Sequence, residues 1–288
     1  DYAGVVAWMD EEYMSIPHKS IEGQNLEISP EDFIVVPELF GYIMEQIKDL
    51  PCGKIVLTQN YSHIVETLQP GQSWSQYGFL KCITTNEKQQ EYIESVMRQC
   101  DFDILKPLIT DNFYPKNLPA MPIIGVHTKE QSETINIIKT FYLKFPQYRW
   151  FTFRDIRGLS EKEFANSLRD CFVSVWMDEQ SGFGTFPLES MASGVPVIGK
   201  VPYIQPDWMN EDNGVWVTNP TLMCDFIADF IQNWLEDNIK TELYENMKKT
   251  VEKYTNKQEF DTNVIELFSG YLNVRANSFE EQISKTEE

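Results

Sequence analysis

Positive charge is what this 288-residue chain has least of: 24 Lys and Arg stand against 44 Asp and Glu, for a net charge of −20. The acidic excess runs through both halves, and such a field repels phosphate backbones and anionic headgroups. Nucleic acid and anionic membrane are therefore poor partners, and any phosphate has to meet locally concentrated cations. Histidine is nearly absent; His18, His63 and His127 are not at ligand spacing with cysteine or with one another, which speaks against a metal site. The five cysteines (Cys52, Cys82, Cys100, Cys171, Cys224) are odd in number, scattered and without a CxxC pair, as expected of buried thiols in a reducing, cytoplasmic setting. No apolar run approaches the ~20 residues of a membrane-spanning helix, and no signal-like stretch opens the chain. It begins at Asp1 rather than Met, which leaves room for a removed upstream segment. There is no GxxxxGK[ST], and the only approach to GxGxxG has Pro187 at its third glycine, so a P-loop is excluded and a dehydrogenase disfavoured.

What is present is an ordinary globular composition, 42% hydrophobic and 24% charged, at a length that suits two domains of ~150 residues. Short apolar runs alternate with amphipathic stretches. Ile34 to Val36, Lys54 to Thr58, Phe79 to Ile83, Ile104 to Ile109, Ile123 to His127, Arg149 to Phe153, Phe172 to Trp176, Val195 to Ile198 and Gly214 to Val217 read as strands. Most are continuously apolar, as in parallel sheets covered by helices on both faces. Thr84-Thr85-Asn86-Glu87, Thr128-Lys129-Glu130-Gln131 and Ser160-Glu161-Lys162-Glu163 match the capping box, and Asn219-Pro220 supplies a cap followed by proline. Ile135, Ile138, Phe141, Tyr142 and Phe145 are expected to line one helix face. Strand and helix in repetition give an α/β class. Three prolines between Pro115 and Pro122 mark a linker, hence domains at 1–118 and 119–288, the second ending in a helical segment from Ile239 and a polar tail after Ser278 expected to fray.

The stretch from Asp178 to Ile198 reads as strand end, glycine loop, short helix, glycine stop and strand. Gly182 and Gly184 allow close approach of backbone to a ligand or positive φ. Thr185 is the expected helix cap, leaving outward-pointing amides that favour an anion, with Glu189 one turn further. Amides beside a carboxylate suit phosphate oxygens and sugar hydroxyls together. The competing reading is a tight turn in which Glu189 serves only the helix dipole.

Gly182 to Ile198 resembles the donor-binding signature of GT-B-fold, family-4-type retaining glycosyltransferases, in which Glu-x7-Glu runs through a GFG loop into a helix. Ile123 to His127, Gly158 to Phe164, Asp170 to Ser174 and Asn213 to Val217 resemble the surrounding donor-domain order, so the likeness covers residues 121–235 well and 30–115 weakly. It implies two Rossmann-like parallel-sheet domains facing a cleft, the N-terminal acceptor-side domain abbreviated. It implies no cofactor beyond the donor substrate, a UDP- or GDP-sugar, with metal-independent, retaining transfer to an unspecified glycan or small-molecule acceptor. Carried over by position, Glu189 binds ribose hydroxyls, and the backbone of Gly182, Phe183, Gly184 and Thr185 faces the diphosphate or sugar.

Three departures stand out. Ser181 occupies the place of the first Glu of Glu-x7-Glu, with Glu179 either its substitute or a solvated loop charge. Lys129 is the candidate for the phosphate-holding cations, with Arg154 and Arg157 in reserve. In the first domain the usual glycine-rich acceptor loop is not recognisable, Tyr2 to Trp8 being a partial stand-in, and Asn60 falls where relatives place a histidine near the reacting sugar. Gln59, Asn60, Tyr61 and His63 are thus expected to line the cleft, Asn60 as a catalytic candidate and Gln59 as a substrate-binding one, against a reading of strand-end polar groups bonded to backbone. Ser181 and the short first domain also leave open an inactive nucleotide-sugar-binding subunit or sensor.

Overall fold

A computed structural model of the chain describes residues 27–97, 100–116, 121–238 and 240–286, with side chains to residue 272. Tyr2 to Trp8, His18 and the middle of the proline-rich segment (117–120) lie outside the described residues. The chain folds as two compact units, one holding Ile109–Thr255 and the other Asn25–Leu108 with Asn256–Glu288.

The smaller unit is a four-stranded parallel sheet in the order β1 (Phe33–Pro37), β2 (Gly53–Thr58), β3 (Lys81–Thr84), β4 (Asp101–Ile104). The intervening helices are α1 (Gly41–Gln46), α2 (His63–Thr67) and α3 (Glu87–Val96). One face buries Val36, Val56 and Cys82 against Met44, Trp74, Phe79 and Ile93. Its other face buries Ile55 and Ile83 under Tyr271 of the long C-terminal helix, whose hydroxyl donates to Asp103 at 2.7 Å.

The larger unit is a five-stranded parallel sheet built from β5 (Ile123–His127), β6 (Thr152–Asp155), β7 (Val173–Trp176), β8 (Val197–Lys200) and β9 (Val215–Val217), ordered β6-β5-β7-β8-β9. Continuously buried runs such as Ile123 to Val126 and Val173 to Trp176 follow from helices on both faces. On one face lie α4 (Gln131–Lys144) and α7 (Met223–Leu235), with Ile137, Phe141, Ile227 and Ile231 in the core. On the other lie α5 (Glu161–Arg169), α6 (Thr185–Ala192) and α8 (Thr241–Val251), with Leu168, Leu188 and Met247.

Eight of the nine expected strands form in place or with small shifts, whereas the expected Ile104 to Ile109 shares only Ile104 with the strand found there. The fourth is Asp101–Ile104 rather than 104–109, because Pro107 cannot donate to a ladder. The sixth starts at Thr152: Tyr148, Trp150 and Phe151 are aromatic, but 148–151 form a turn closing α4, in which the Phe151 amide returns to Tyr148 O. Ser160 and Glu163 make the expected capping box, and Asn219 accepts the Thr221 amide. The cap before α3 is Asn86, accepting the Gln89 amide at 2.8 Å, while Thr84 stays in β3. Thr128 caps nothing; its hydroxyl meets Thr134 at 2.6 Å, and α4 starts at Gln131. The buried stripe of α4 is Thr134, Ile137 and Phe141, leaving Ile135 exposed. The C-terminal helix α9 (Lys257–Thr286) continues through the stretch expected to fray.

The proline-rich segment follows the change of unit rather than making it. Ile109 already donates to Tyr254 O and, with Phe113, is buried in the larger unit's core. Punctuation by proline says where regular structure stops, not which core a residue joins.

Candidate active site

In the larger unit the chain leaves β5 toward β6 and, after α5, resumes at β7 on the other side of β5. This is the reversal at which open α/β sheets bind ligands beyond the strands' carboxyl ends. Two loops meet there: His127 to Glu130 after β5, and Met177 to Gly184 after β7. Lys129 Nζ bridges them to Asp178 Oδ2 at 3.0 Å. Arg157, from the loop after β6, grips Asp155 through its guanidinium and holds Asp155 below the usual carboxylate range. The same guanidinium reaches Lys129 O at 3.4 Å.

The glycine loop is fixed from behind. Gly184, not Thr185, is the N-cap of α6 and has φ of 76°. A side chain there would meet Trp208 at 3.0 Å and Trp176 at 3.3 Å, so both the conformation and the space demand glycine. Trp208 Nε1 donates to Phe183 O at 2.8 Å, and the Phe183 ring is buried edge-on against Tyr254. Ser181 Oγ accepts the Gly184 amide at 2.9 Å. Gly182 is buried, whereas Thr185, the first helical residue, is exposed. The expected Thr185 cap is therefore replaced by a left-handed glycine, which needs no side-chain acceptor to begin the helix.

Glu189 lies one turn into α6. Its carboxylate has neither ion-pair nor hydrogen-bond partner among the described residues. Burial, with a smaller contribution from the Glu161 charge, pushes it up to about 8. Glu161 is itself bonded to Thr110 and Asn112, so it cannot relieve Glu189. An acid held this way is ready for a ligand that donates hydrogen bonds.

The remaining expected residues divide. Glu179 is not a loose charge: it pairs with Lys200 at the end of β8, and its carbonyl accepts the Tyr203 amide. Arg154 turns to α5, reaching Ser167 O and Asp170, away from Lys129 and Arg157. In the smaller unit Gln59 is exposed. Asn60 Oδ1 accepts the amide and hydroxyl of Ser62, and its own amide donates to Glu38.

Sequence reading missed His127, Asp178 as a partner and Lys200. His127 stacks on Phe186 at 4.6 Å, its buried Nδ1 meets no partner among the described residues, and burial lowers its proton affinity. The available signal was position: each sits at or just beyond the carboxyl end of an expected strand. One hollow of the larger unit, about 480 Å³, lies beside the start of α8; another, about 250 Å³, lies between α4 and the start of α7 and is bordered by Met177 of the loop after β7. The larger is lined by Glu211, Asp212 and Glu242 against one cation, Lys240, a net negative lining that disfavours an anion, so the chemistry favours the strand-end loops over the roomier hollow.

No protein-family model matches the chain. An alpha-1,6-glucosyltransferase of Actinobacillus pleuropneumoniae serotype 7 (strain AP76) is 25% identical over 247 residues, which is 77% of this chain and 72% of that protein. Among solved structures, the pneumococcal O-GlcNAc transferase GtfA in complex with UDP and GlcNAc matches with a TM-score of 0.60 at 11% identity, over 86% of this chain and 58% of its own. TarM matches at 0.62 and 14%, over 85% and 55%, and sucrose-phosphate synthase from Thermosynechococcus elongatus at 0.61 and 15%, over 84% and 74%. The chain thus spans a little over half the length of the first two. The fold is that of the GT-B glycosyltransferases: an α/β chain of two Rossmann-like parallel-sheet units.

Proposed function

We propose that this protein transfers a sugar from a nucleoside-diphosphate sugar to a hydroxyl-bearing acceptor, with retention of anomeric configuration and without a metal ion. The observation that carries this is Glu189, a partly buried acid without a partner one turn behind a glycine loop, at the sheet's topological switch point. On this reading Glu189 takes the ribose hydroxyls and the start of α6 faces the diphosphate. Lys129 exchanges Asp178 for a phosphate, with Arg157 beside it. The leaving nucleoside diphosphate is already a stable anion, so catalysis consists of positioning and of stabilising charge that develops on its phosphate. UDP is the favoured nucleotide, since GtfA was solved with UDP, and the Actinobacillus relative makes glucose the first sugar to try. A cytoplasmic setting fits the five free cysteines, of which Cys82 and Cys171 are pushed up to about 12 by burial and are therefore unreactive.

One observation favours a second reading, a sugar-nucleotide sensor or inactive subunit. Where the resemblance expects a carboxylate toward the transferred sugar, the Ser181 hydroxyl is spent on the loop's own backbone, and Glu179 is held by Lys200. Incubation with UDP- and GDP-sugars separates the two. Release of free nucleotide, with the product's anomeric configuration read by NMR, supports the transferase. Thermal stabilisation by nucleotide without any release supports the sensor.

A further inference from the structure

The amino edge of the larger sheet, at the strand ends away from the glycine loop, carries an exposed aromatic face. Trp150, just before β6, and Trp234, in the last turn of α7, have ring centroids 6.1 Å apart. Trp234 packs edge-on to Phe151 and against Phe172, which precedes β7, so the pair is backed by the unit's core. Trp150 is nevertheless 47% exposed, Trp234 37% and its chain neighbour Leu235 52%. Single exposed apolar side chains are ordinary, whereas grouped tryptophans on a rigid core, with an arginine beside them, are what protein interfaces are built from.

The charges beside this face indicate what covers it. α7 has no basic residue in its last turn and runs out into Glu236 and Asp237, although the helix dipole favours cations at that end. Asp237 also has φ of 55°, a left-handed conformation that usually falls to glycine. Neither acid pairs with a cation among the described residues: Glu236 takes the Gln232 side-chain amide, and Lys240, the next basic residue, lies over the Phe230 ring. Next to the other tryptophan, Arg149 donates from Nε to Pro146 O, and no carboxylate among the described residues pairs with it. One tryptophan thus has an unmatched cation beside it and the other two unmatched anions. Such a face is complementary to itself: a two-fold rotation that lays Trp150 of one copy on Trp234 of another also sets Arg149 against Glu236 and Asp237, twice. The net charge of −20 on each copy opposes approach at long range, but at 0.15 M salt the screening length is about 8 Å, which leaves the contact to the face itself.

We propose that this face pairs two copies of the chain as a two-fold dimer, with Trp150, Trp234 and Leu235 at its apolar centre and Arg149 facing Glu236 and Asp237 at its rim. Lys129 and Glu189 lie at the opposite strand ends, so the pairing does not cover the glycine loop of either copy. The inference is independent of the transferase reading.

Sedimentation velocity of the full chain, from low micromolar to about 100 µM, tests it. Native protein is expected to pass from monomer to dimer over that range. Arg149→Glu and Trp150→Ser each raise the dimer's Kd about tenfold or more, as loss of a close charge pair or of an aromatic anchor requires. The double variant Glu236→Arg, Asp237→Arg is likewise expected to be monomeric, yet to melt no lower than native protein, because cations suit that end of α7. Mixed one to one, Arg149→Glu and the double variant regain the dimer, since every contact between the two then joins opposite signs. A role confined to one chain is not restored by mixing. If Trp150→Ser fails to fold, the two charge variants and their mixture decide alone. Native protein that stays monomeric throughout overturns the inference. So does a Kd that Arg149→Glu changes by less than about twofold, or a mixture of the charge variants that stays monomeric.

Discussion

The carboxyl edges of the two sheets share one topology and differ in charge. In the larger unit, cations line the strand ends, each held by a carboxylate: Lys129 by Asp178, Arg157 by Asp155 and Lys200 by Glu179. Glu189, by contrast, has no ion-pair partner among the described residues. In the smaller unit, a fully buried carboxylate, Glu38, is held by the Asn60 backbone amide and the His63 imidazole. On the proposed reading, the larger unit's edge exchanges internal ion pairs for a diphosphate. For a protein of net charge −20, the proposed diphosphate site draws on cations gathered at the strand ends.

The largest effect that sharpens this contrast is expected from Glu189→Ala. Charge-assisted hydrogen bonds contribute about 1.5–3 kcal/mol, so nucleotide-sugar use should fall roughly ten- to a hundredfold, measured as kcat/KM for UDP-glucose. Because free Glu189 titrates at about 8, nucleotide affinity should climb with pH and level off above that value, and Glu189→Gln should flatten the profile. Stability runs the other way. The folded value lies above the unfolded one, so the protonated acid favours the fold and its advantage is lost as pH rises through about 8. Glu189→Gln should therefore melt higher than native protein at pH 9 and equally at pH 4, a gain in stability joined to a loss of function.

Next in size is Gly184→Ala, which puts a Cβ on Trp208 and forces φ of 76° on alanine. A loss of about 1–3 kcal/mol is expected, read as a melting temperature lower by several degrees. Lys129→Ala should lower turnover about tenfold; unchanged kinetics would move its role to Arg157. Smallest is Arg154→Ala, since Arg154 is bound to α5: turnover within about twofold of native is expected, and a larger loss would break the division of cations drawn here.

The α/β class, eight of the nine strands and the glycine loop were legible because parallel strands buried on both faces are continuously apolar, and because glycines at 182 and 184 stand out against that pattern. Ser160 and Asn219 were legible as caps because the partners lie two or three residues away. What escaped depends on long-range placement. Glu179 and Lys200 are far apart in sequence and meet only because β7 and β8 are neighbours. Glu38 and His63 likewise meet through the pairing of β1 and β2. Arg154 and Arg157 look equivalent as reserves, yet strand geometry sends one to α5 and leaves the other beside Lys129.

The central claim is that the loop from Gly182 to Glu189 grips a nucleoside diphosphate. Differential scanning of native protein and Glu189→Ala with UDP at pH 8 tests it most directly. At a hundredfold excess over Kd the ligand adds about 2.7 kcal/mol, so native protein should melt several degrees higher with UDP and the variant should lose most of that shift. Equal shifts in both proteins, or none in native, would contradict it.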